Sequence, residues 1–106
     1  ILAVEGVDGV FIGPSDLSAS MGHIGDAGHP EVREAIARGL ASIKGANKIA
    51  GLLCMDPALV EEYVAQGADF VGVGVDTLIL GQGMVKLAQQ FKSGGAAAGD
   101  KPQAGY

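Results

Sequence analysis

The sequence predicts an α/β fold in which three buried parallel strands alternate with helices. Short apolar runs of strand length recur along the chain, and each is followed by a segment with apolar residues at helical spacing. Eighteen glycines among 106 residues, without a G-X-Y period, are typical of many tight strand-to-helix connections. Consecutive strand–helix–strand units require crossover connections, which leaves a doubly wound sheet or a slice of a (β/α)₈ barrel as the natural architectures.

The first strand and the first long helix are predicted from the amino half of the chain. A continuous apolar run reaches Ile12 and is closed by Gly13-Pro14, as a strand buried on both faces would be. After a loop rich in Ser, Gly and His, a helix is predicted over residues 30 to about 46, because Pro30 suits a first helical position. Apolar or small residues then recur three and four positions apart, at Val32, Ala35, Ile36, Gly39, Leu40 and Ile43.

The carboxyl half of the chain is predicted to contain two further strand–helix pairs. A strand is predicted over residues 49–54, followed by a helix that Asp56 caps, that starts at Pro57 and that Gly67 closes. A third strand is predicted over residues 70–75 and a last helix over 76–92, with Gly81 and Gly83 interrupting that helix.

The barrel slice is the preferred architecture of the two. Three strands without polar residues leave two open edges and an uncovered sheet face, which a self-sufficient domain would have to protect. The chain also begins in mid-pattern and without an initiator Met, so we expect a piece of a longer protein. Residues 1–92 are expected to form the folded part, and the small, Gly-rich residues 93–106 a flexible tail.

Charge and cysteine content narrow the class of protein. A net charge of −5 without a basic cluster argues against nucleic acid as a partner. No apolar run approaches the ~20 residues that a membrane span needs, so no membrane partner is expected. The single Cys54 allows neither a disulfide framework nor a Cys/His metal cage, which suits a reducing cytosol and predicts a cytoplasmic protein.

The candidate site follows the first strand, because ligands of parallel α/β folds bind at the carboxyl ends of the strands. Here Gly13-Pro14 predicts a sharp turn, Ser15 is expected to cap a short helix, and Asp16 places a carboxylate beside the first N–H groups of that helix. Such a pair suits a divalent metal and an anionic ligand together. The alternative, in which Asp16 only caps the helix, stays open.

Other polar residues are weaker candidates. His23 and His29 lack a nearby carboxylate partner in the sequence, and His29 before Pro30 is expected to shape the start of a helix. Cys54 is expected to be a buried structural thiol, because no cationic residue lies close to it in the sequence to activate it. Residues 72–74 (Gly-Val-Gly) are not a dinucleotide fingerprint, although they could line a phosphate site at a barrel strand end. No lysine follows a predicted strand, which disfavours a Schiff-base mechanism.

Four segments form a recognisable pattern in sequence order: VEGVDGVFIGPSDLSASMG at 4–22, HPEV at 29–32, GLL at 51–53 and GADFVGVGVDT at 67–77. Together they closely resemble the HpcH/HpaI family of class II, metal-dependent 2-oxo acid aldolases. The resemblance covers essentially everything before the tail. It implies a (β/α)₈ TIM barrel, of which this chain would be the last three βα units.

The resemblance also implies an activity and a site. The family cleaves 4-hydroxy-2-oxo acids such as 4-hydroxy-2-oxoheptanedioate to pyruvate and an aldehyde, so a role in aromatic-compound catabolism is expected. The implied cofactor is Mg²⁺ or Mn²⁺, with Co²⁺ as a substitute, and Asp16 matches one of its protein ligands. Ser15 matches the position whose backbone N–H receives the pyruvate carboxylate. Phe11 and Leu53 match residues near the substrate pocket.

The chain departs from the family pattern at the catalytic residues. The family's metal-binding Glu, catalytic Arg and basic His have no counterpart here, so they are expected upstream and this segment alone is expected to be inactive. The family's hexamers, with exchanged C-terminal helices, imply that the helix over 76–92 packs on a neighbouring copy. Two other readings remain: a phosphate-binding barrel isomerase or lyase, and a non-catalytic half-barrel that pairs with another chain.

Overall fold

The computed structural model describes residues 1–92 and has the predicted mixed α/β class. The predicted tail, residues 93–106, lies outside the described residues. The elements are β1 (Gly9–Ile12), α1 (Pro14–Ser20), α2 (Pro30–Gly45), β2 (Ile49–Leu53), α3 (Pro57–Ala65), β3 (Phe70–Gly72) and α4 (Asp76–Phe91).

The three strands form one parallel sheet in the order β1-β2-β3, which confirms the predicted parallel arrangement. Val10 of β1 is level with Ala50 of β2, and Leu52 is level with Val71 of β3. Because the strands run in one direction, their carboxyl ends share one edge of the sheet, and α1, α3 and α4 begin just beyond that edge. Whether the sheet is part of a barrel stays a prediction.

One face of the sheet carries the core. The apolar stripe predicted for α2 is buried against β2, with Ala50 and Leu52 wholly inaccessible to solvent. Tyr63 of α3 joins the same cluster, and the guanidinium of Arg33 pairs with the carboxylate of Glu62, so α2 and α3 cover the same face. The buried residues of α2 are Val32, Ile36, Leu40 and Ile43.

The opposite face of the sheet is open, and the prediction that these strands are buried on both faces is wrong for the described residues. Phe11 and Phe70 are 52% and 61% exposed and meet over Gly51, with ring centroids 6.0 Å apart. A Cβ on Gly51 would lie 2.7 Å from Phe11 Cδ2, so glycine is what allows the two rings to meet. An apolar face of this kind requires a further layer of protein.

Three helices are each followed by a residue with a positive φ angle. After α1, α2 and α3, the residues Gly22, Asn47 and Gly67 have positive φ angles of 85°, 57° and 103°. After α3 the N–H of Gly67 donates to Val64 O at 3.0 Å, and that of Ala68 donates to Tyr63 O at 3.0 Å, which is a Schellman motif. The prediction of Gly67 as the closing glycine is confirmed.

Several predicted boundaries are wrong. The third strand ends at Gly72, because its partner Leu53 is the last residue of β2. The last helix continues through Gly81 and Gly83, since a helical glycine costs only about 1 kcal/mol and does not by itself break a helix. The first helix starts at Pro14 with Gly13 as its N-cap, so Ser15 is not the cap.

The last helix differs from the others because none of its residues is buried. Leu78 is partly buried, and six other large apolar side chains of this helix are between 57% and 82% exposed. Among the helices of residues 1–92, none combines the length and apolarity that a membrane span requires. The exposed apolar residues of α4 are Ile79, Leu80, Met84, Val85, Leu87 and Phe91.

Candidate functional site

The candidate site lies at the carboxyl edge of the sheet, where the chain leaves each strand. Residues 13–16 follow β1, Asp56 lies between β2 and α3, and Asp76 opens α4. Asp56 caps α3, since its Oδ1 accepts the N–H of Ala58 at 3.0 Å, which confirms the predicted N-cap. Asp76 accepts the N–H of Thr77 at 2.8 Å. Two of the three carboxylates at this edge therefore bond to their own helices.

Among these three carboxylates, that of Asp16 forms no such hydrogen bond to its own helix. It is exposed in the first turn of α1 and enters none of the side-chain hydrogen bonds formed within residues 1–92. A Cβ on Gly13 would lie 3.1 Å from Asp16 Oδ2, so the turn leaves room for the carboxylate above the strand end. The N-cap of α1 is Gly13, so the structure does not support the alternative in which Asp16 only caps the helix.

Ser15 supplies a backbone donor rather than a side-chain group. It is the second residue of α1, where backbone N–H groups have no acceptor within the helix, and Gly13 has no side chain to cap them. The carbonyl of Ser15 accepts the Ser18 hydroxyl at 2.8 Å, which fixes the first turn. The N–H groups of this turn therefore face the same edge as the Asp16 carboxylate.

Leu53 lines a cavity of about 270 Å³ beside this edge, between the start of α1, the end of β2 and α3. Tyr63 forms part of its wall, and burial raises the pKa of the Tyr63 hydroxyl. Cys54 also lines it and is half-buried, so the prediction of a buried thiol is wrong in degree. The Cys54 Sγ lies 3.7 Å from the backbone oxygen of Asp56.

Phe11 is placed apart from Ser15 and Asp16, whereas the strand register puts Leu53 on the same sheet face as Phe11. The Phe11 side chain lies on the open face of the sheet against Phe70, whereas Ser15 and Asp16 are adjacent in α1. Gly72 and Gly74 have apolar neighbours, because a Cβ at these positions would lie 3.0 Å from Leu53 Cδ1 and 3.1 Å from Ile79 Cδ1. Close packing accounts for these two glycines without a phosphate site.

A cluster of His23, His29 and Glu31 was not predicted. His23 Nε2 lies 3.0 Å from Glu31 Oε2, and the two imidazole rings stack with centroids 3.6 Å apart. The prediction that the histidines lack a carboxylate partner is therefore wrong, because Glu31 is the partner of His23. The hydrogen bond from His23 holds the pKa of the Glu31 carboxyl below its ordinary value. His29 does shape the start of α2, as predicted, because its Nδ1 accepts the N–H of Glu31 at 3.3 Å.

Comparison with known proteins gives consistent matches. The family described as HpcH/HpaI aldolase/citrate lyase matches residues 1–82. The chain is 50% identical over 101 residues to a 2-keto-3-deoxy-L-rhamnonate aldolase of Klebsiella pneumoniae subsp. pneumoniae, covering 95% of this chain and 38% of that protein. It is 54% identical over 97 residues to a hydroxypyruvate/pyruvate aldolase of Pseudomonas aeruginosa, covering 92% of this chain and 36% of that protein.

Solved structures agree with these matches. An HpcH/HpaI aldolase from Desulfitobacterium hafniense DCB-2 superposes with a TM-score of 0.79 at 31% identity, over 91% of this chain and 38% of that one. A member of the HpcH/HpaI aldolase/citrate lyase family from Burkholderia cenocepacia J2315 gives a TM-score of 0.75 at 39% identity, over 85% and 35% of the two chains. The chain thus spans less than two fifths of the length of each of these relatives.

Proposed function

The chain belongs to the HpcH/HpaI aldolase/citrate lyase family, and from this premise we propose that it forms part of a divalent-metal-dependent aldolase. The reaction proposed is cleavage of a 4-hydroxy-2-oxo acid to pyruvate and an aldehyde. The observation that carries this proposal is the Asp16 carboxylate, which forms no side-chain hydrogen bond within residues 1–92 and lies in the first turn of α1 at the carboxyl edge of a parallel sheet. Relatives named for aldolase reactions support the reaction class.

Asp16 fits one ligand position of a hard cation. Its carboxylate is exposed, is not used by the helix cap and lies against Gly13, where a side chain would crowd it. Mg²⁺ and Mn²⁺ favour oxygen ligands, and Mg²⁺ is usually held by one or two protein carboxylates together with waters or substrate oxygens. We therefore propose that Asp16 provides one ligand to Mg²⁺ or Mn²⁺, that Co²⁺ can substitute, and that a carboxylate outside this chain provides another.

Ser15 and Leu53 are proposed to bind and orient the substrate. The backbone N–H of Ser15 is directed to the substrate carboxylate, because free first-turn N–H groups and the helix dipole favour an anion. The side chain of Leu53 provides apolar contact in the adjacent cavity, and Phe11 is proposed to contribute from the sheet face toward the barrel interior. When bound, the metal supplies Lewis-acid stabilisation of negative charge that develops on the 2-oxo acid.

The chain carries only part of the proposed enzyme. The matched relatives are more than twice as long, so the remaining barrel strands and the catalytic His and Arg are proposed to come from outside residues 1–106. Within the complete protein, residues 1–92 would be the last three βα units of a (β/α)₈ barrel. We further propose a homo-oligomer, a hexamer by family resemblance, in which α4 packs on another copy, and a cytoplasmic location.

The substrate is proposed at the level of the 2-oxo acid. Relatives are named for 2-keto-3-deoxy-L-rhamnonate and for hydroxypyruvate with pyruvate, and all of these compounds contain a carboxylate next to a keto group. That shared group is the part that Ser15, Asp16 and the metal would hold. The aldehyde half would be selected elsewhere, and 4-hydroxy-2-oxoheptanedioate, with a role in aromatic-compound catabolism, is one proposed substrate.

The substitution Asp16→Asn tests the proposal in the intact protein that carries this sequence. Asparagine keeps the size of the side chain and removes the charge that a metal ligand needs, so we expect kcat/KM for pyruvate release to fall by roughly 100-fold or more. The assay follows pyruvate released from a 4-hydroxy-2-oxo acid at saturating Mg²⁺ or Mn²⁺. Circular dichroism reports whether the variant folds.

Asp26→Asn provides the matched control. Asp26 is also an exposed acid, but it lies in the loop between α1 and α2. We expect this variant to keep its activity, because its carboxylate lies outside the proposed ligand set. If a well-folded Asp16→Asn protein kept the wild-type kcat/KM, Asp16 would not be a metal ligand. The proposed mechanism would then lose its basis.

A further inference from the structure

The loop between α1 and α2 holds a side-chain cluster that the proposed reaction does not use. His23 follows α1, His29 is the N-cap of α2, and Glu31 lies in the first turn of α2. One ligand atom from each of the three lies within 4.8 Å of the others. From this cluster we propose a second metal site, which binds a transition-metal ion of the Zn²⁺ type and ties the loop to the start of α2.

The backbone positions both histidines before any ion arrives. His23 occupies the last position of the Schellman motif that ends α1, where its N–H donates to Ser18 O at 2.7 Å. Two successive turns follow, because Asp26 N donates to His23 O at 3.0 Å and His29 N donates to Asp26 O at 3.1 Å. Gly25, with a φ of 78°, permits the path between them. The residues that carry the imidazoles are therefore fixed on both sides of one short loop.

One pair in the cluster already has the separation that a shared ion requires. His23 Nε2 and Glu31 Oε2 are 3.0 Å apart. Two ligands on one Zn²⁺, each at about 2.1 Å, lie roughly 3.0 to 3.4 Å apart in octahedral or tetrahedral geometry. The two imidazole rings now stack with centroids 3.6 Å apart and planes 14° apart, so His29 must rotate out of the stack before both rings can face one ion. The Glu31 side chain is 67% exposed and can rotate with it.

The donor set selects the class of ion. Imidazole nitrogens with one carboxylate suit Zn²⁺, Ni²⁺, Co²⁺ or Cu²⁺, whereas Mg²⁺ prefers oxygen ligands only. The partial positive charge at the start of α2 opposes a cation, and the carboxylate of Glu31 offsets it. This site is therefore chemically distinct from the one proposed at Asp16, where the only protein ligand in this chain is an oxygen.

Metal binding replaces hydrogen bonds that the cluster now makes. The hydrogen between His23 Nε2 and Glu31 Oε2 moves to Nδ1 of a neutral His23 or leaves as a proton if the imidazole is charged. The stacking of the two imidazole rings is also given up. The bond from the Glu31 N–H to His29 Nδ1, which is long at 3.3 Å, is lost as well. In exchange, the ion joins the loop to α2 through three side chains.

Zinc uptake by the intact protein tests the site. Metal-free protein is dialysed against Zn²⁺ in the presence of excess Mg²⁺, and bound zinc is counted by atomic emission spectrometry. We expect His23→Gln, which can still donate to Glu31 but lacks the imidazole, to weaken zinc binding by roughly ten-fold or more. Glu31→Gln is expected to do the same, whereas Asp26→Asn, in the same loop, keeps wild-type binding.

An X-ray absorption spectrum of zinc bound to the wild-type protein needs no variant to fold. We expect the scattering pattern of two imidazole ligands together with oxygen ligands. Equal zinc binding by wild type, His23→Gln and Glu31→Gln would overturn the site, as would a spectrum without imidazole scattering. Zinc that is lost only on Asp16→Asn would also overturn it, because that ion would occupy the other site. This test leaves the proposed aldolase reaction unaffected, since its readout is metal content and ligation.

Discussion

At the scale of single residues, the neighbours Ser15 and Asp16 would serve the proposed site through different chemical groups. Ser15 offers a backbone N–H in the first turn of α1, and its hydroxyl enters no side-chain hydrogen bond among residues 1–92. Asp16 offers its side-chain carboxylate. The two residues should therefore respond differently to the loss of their side chains.

Ser15→Ala should leave substrate binding nearly unchanged. The substitution keeps the backbone N–H and the carbonyl that accepts the Ser18 hydroxyl, so we expect KM for the 2-oxo acid to stay within roughly two-fold of wild type. Steady-state kinetics on the intact protein measures this. A large rise in KM with unchanged kcat would show that the hydroxyl, rather than the backbone, binds the substrate.

Sequence reasoning located the residues near the end of β1 but missed the cluster around His23. Ser15 and Asp16 follow directly from a strand that ends at Gly13-Pro14, because a parallel sheet directs its carboxyl ends to one edge. His23 and Glu31 are eight positions apart, and their contact depends on the backbone path through the glycine turns at Gly22 and Gly25. The residue spacings that identify helices and strands do not predict the path of such a loop.

At the scale of elements, the ends of helices were predicted more accurately than the ends of strands. Proline and glycine mark the helix ends, whereas only the apolar pattern marks the strands. Pro30, Pro57 and Gly67 mark helix ends as expected, because each acts on local backbone geometry. The third strand is shorter than its apolar run, since pairing requires a partner and β2 ends at Leu53. The length of a strand is a property of two segments, so one segment alone does not determine it.

Asp69 links the loop before β3 to the middle of the sheet. Its Oδ2 accepts the N–H of Ala50 at 2.9 Å, and both of its carboxylate oxygens lie 2.8 Å from Lys44 Nζ. The Ala50 N–H, and after it the Lys44 ammonium, lower the pKa of the Asp69 carboxyl. The ionised carboxylate therefore stabilises the folded state.

The stabilisation by Asp69 should depend on pH. A lowered pKa in the folded state means that the contribution is present above the unfolded value, about 3.9, and is lost as pH falls through the lower folded value. We expect Asp69→Asn to reduce the urea midpoint of the intact protein at pH 6, and the difference from wild type to shrink toward pH 3. Glu61→Gln, an exposed change on α3, is the control. A difference that is constant over this range would contradict the role of the charge.

At the scale of the whole molecule, the described residues form a sheet with one face covered. The helices α2 and α3 bury one side, while Phe11 and Phe70 on the other side and all of α4 remain accessible. Apolar surfaces of this extent mark sites where other protein packs. The proposed partial barrel would account for the bare sheet face, and the proposed contact between copies would account for α4.

The apolar stripe of α4 should therefore control assembly. Leu80, Met84, Leu87 and Phe91 recur at helical spacing and are at least 58% exposed. We expect Leu80→Glu to shift the intact protein to a smaller species in sedimentation velocity, because a buried unpaired carboxylate is costly in an interface. Gln90→Glu, outside the stripe on the same helix, should not change the mass. An unchanged assembly in the Leu80→Glu protein would remove α4 from the interface.

Removal of the metal by a chelator tests most directly the central claim that the protein catalyses metal-dependent aldol cleavage. The intact protein is incubated with EDTA, the chelator is removed, and pyruvate release from a 4-hydroxy-2-oxo acid is followed before and after addition of Mg²⁺ or Mn²⁺. We predict a fall in rate of roughly 100-fold or more, with recovery on addition of either ion. Cleavage that continues at its original rate in the metal-free protein would contradict the account.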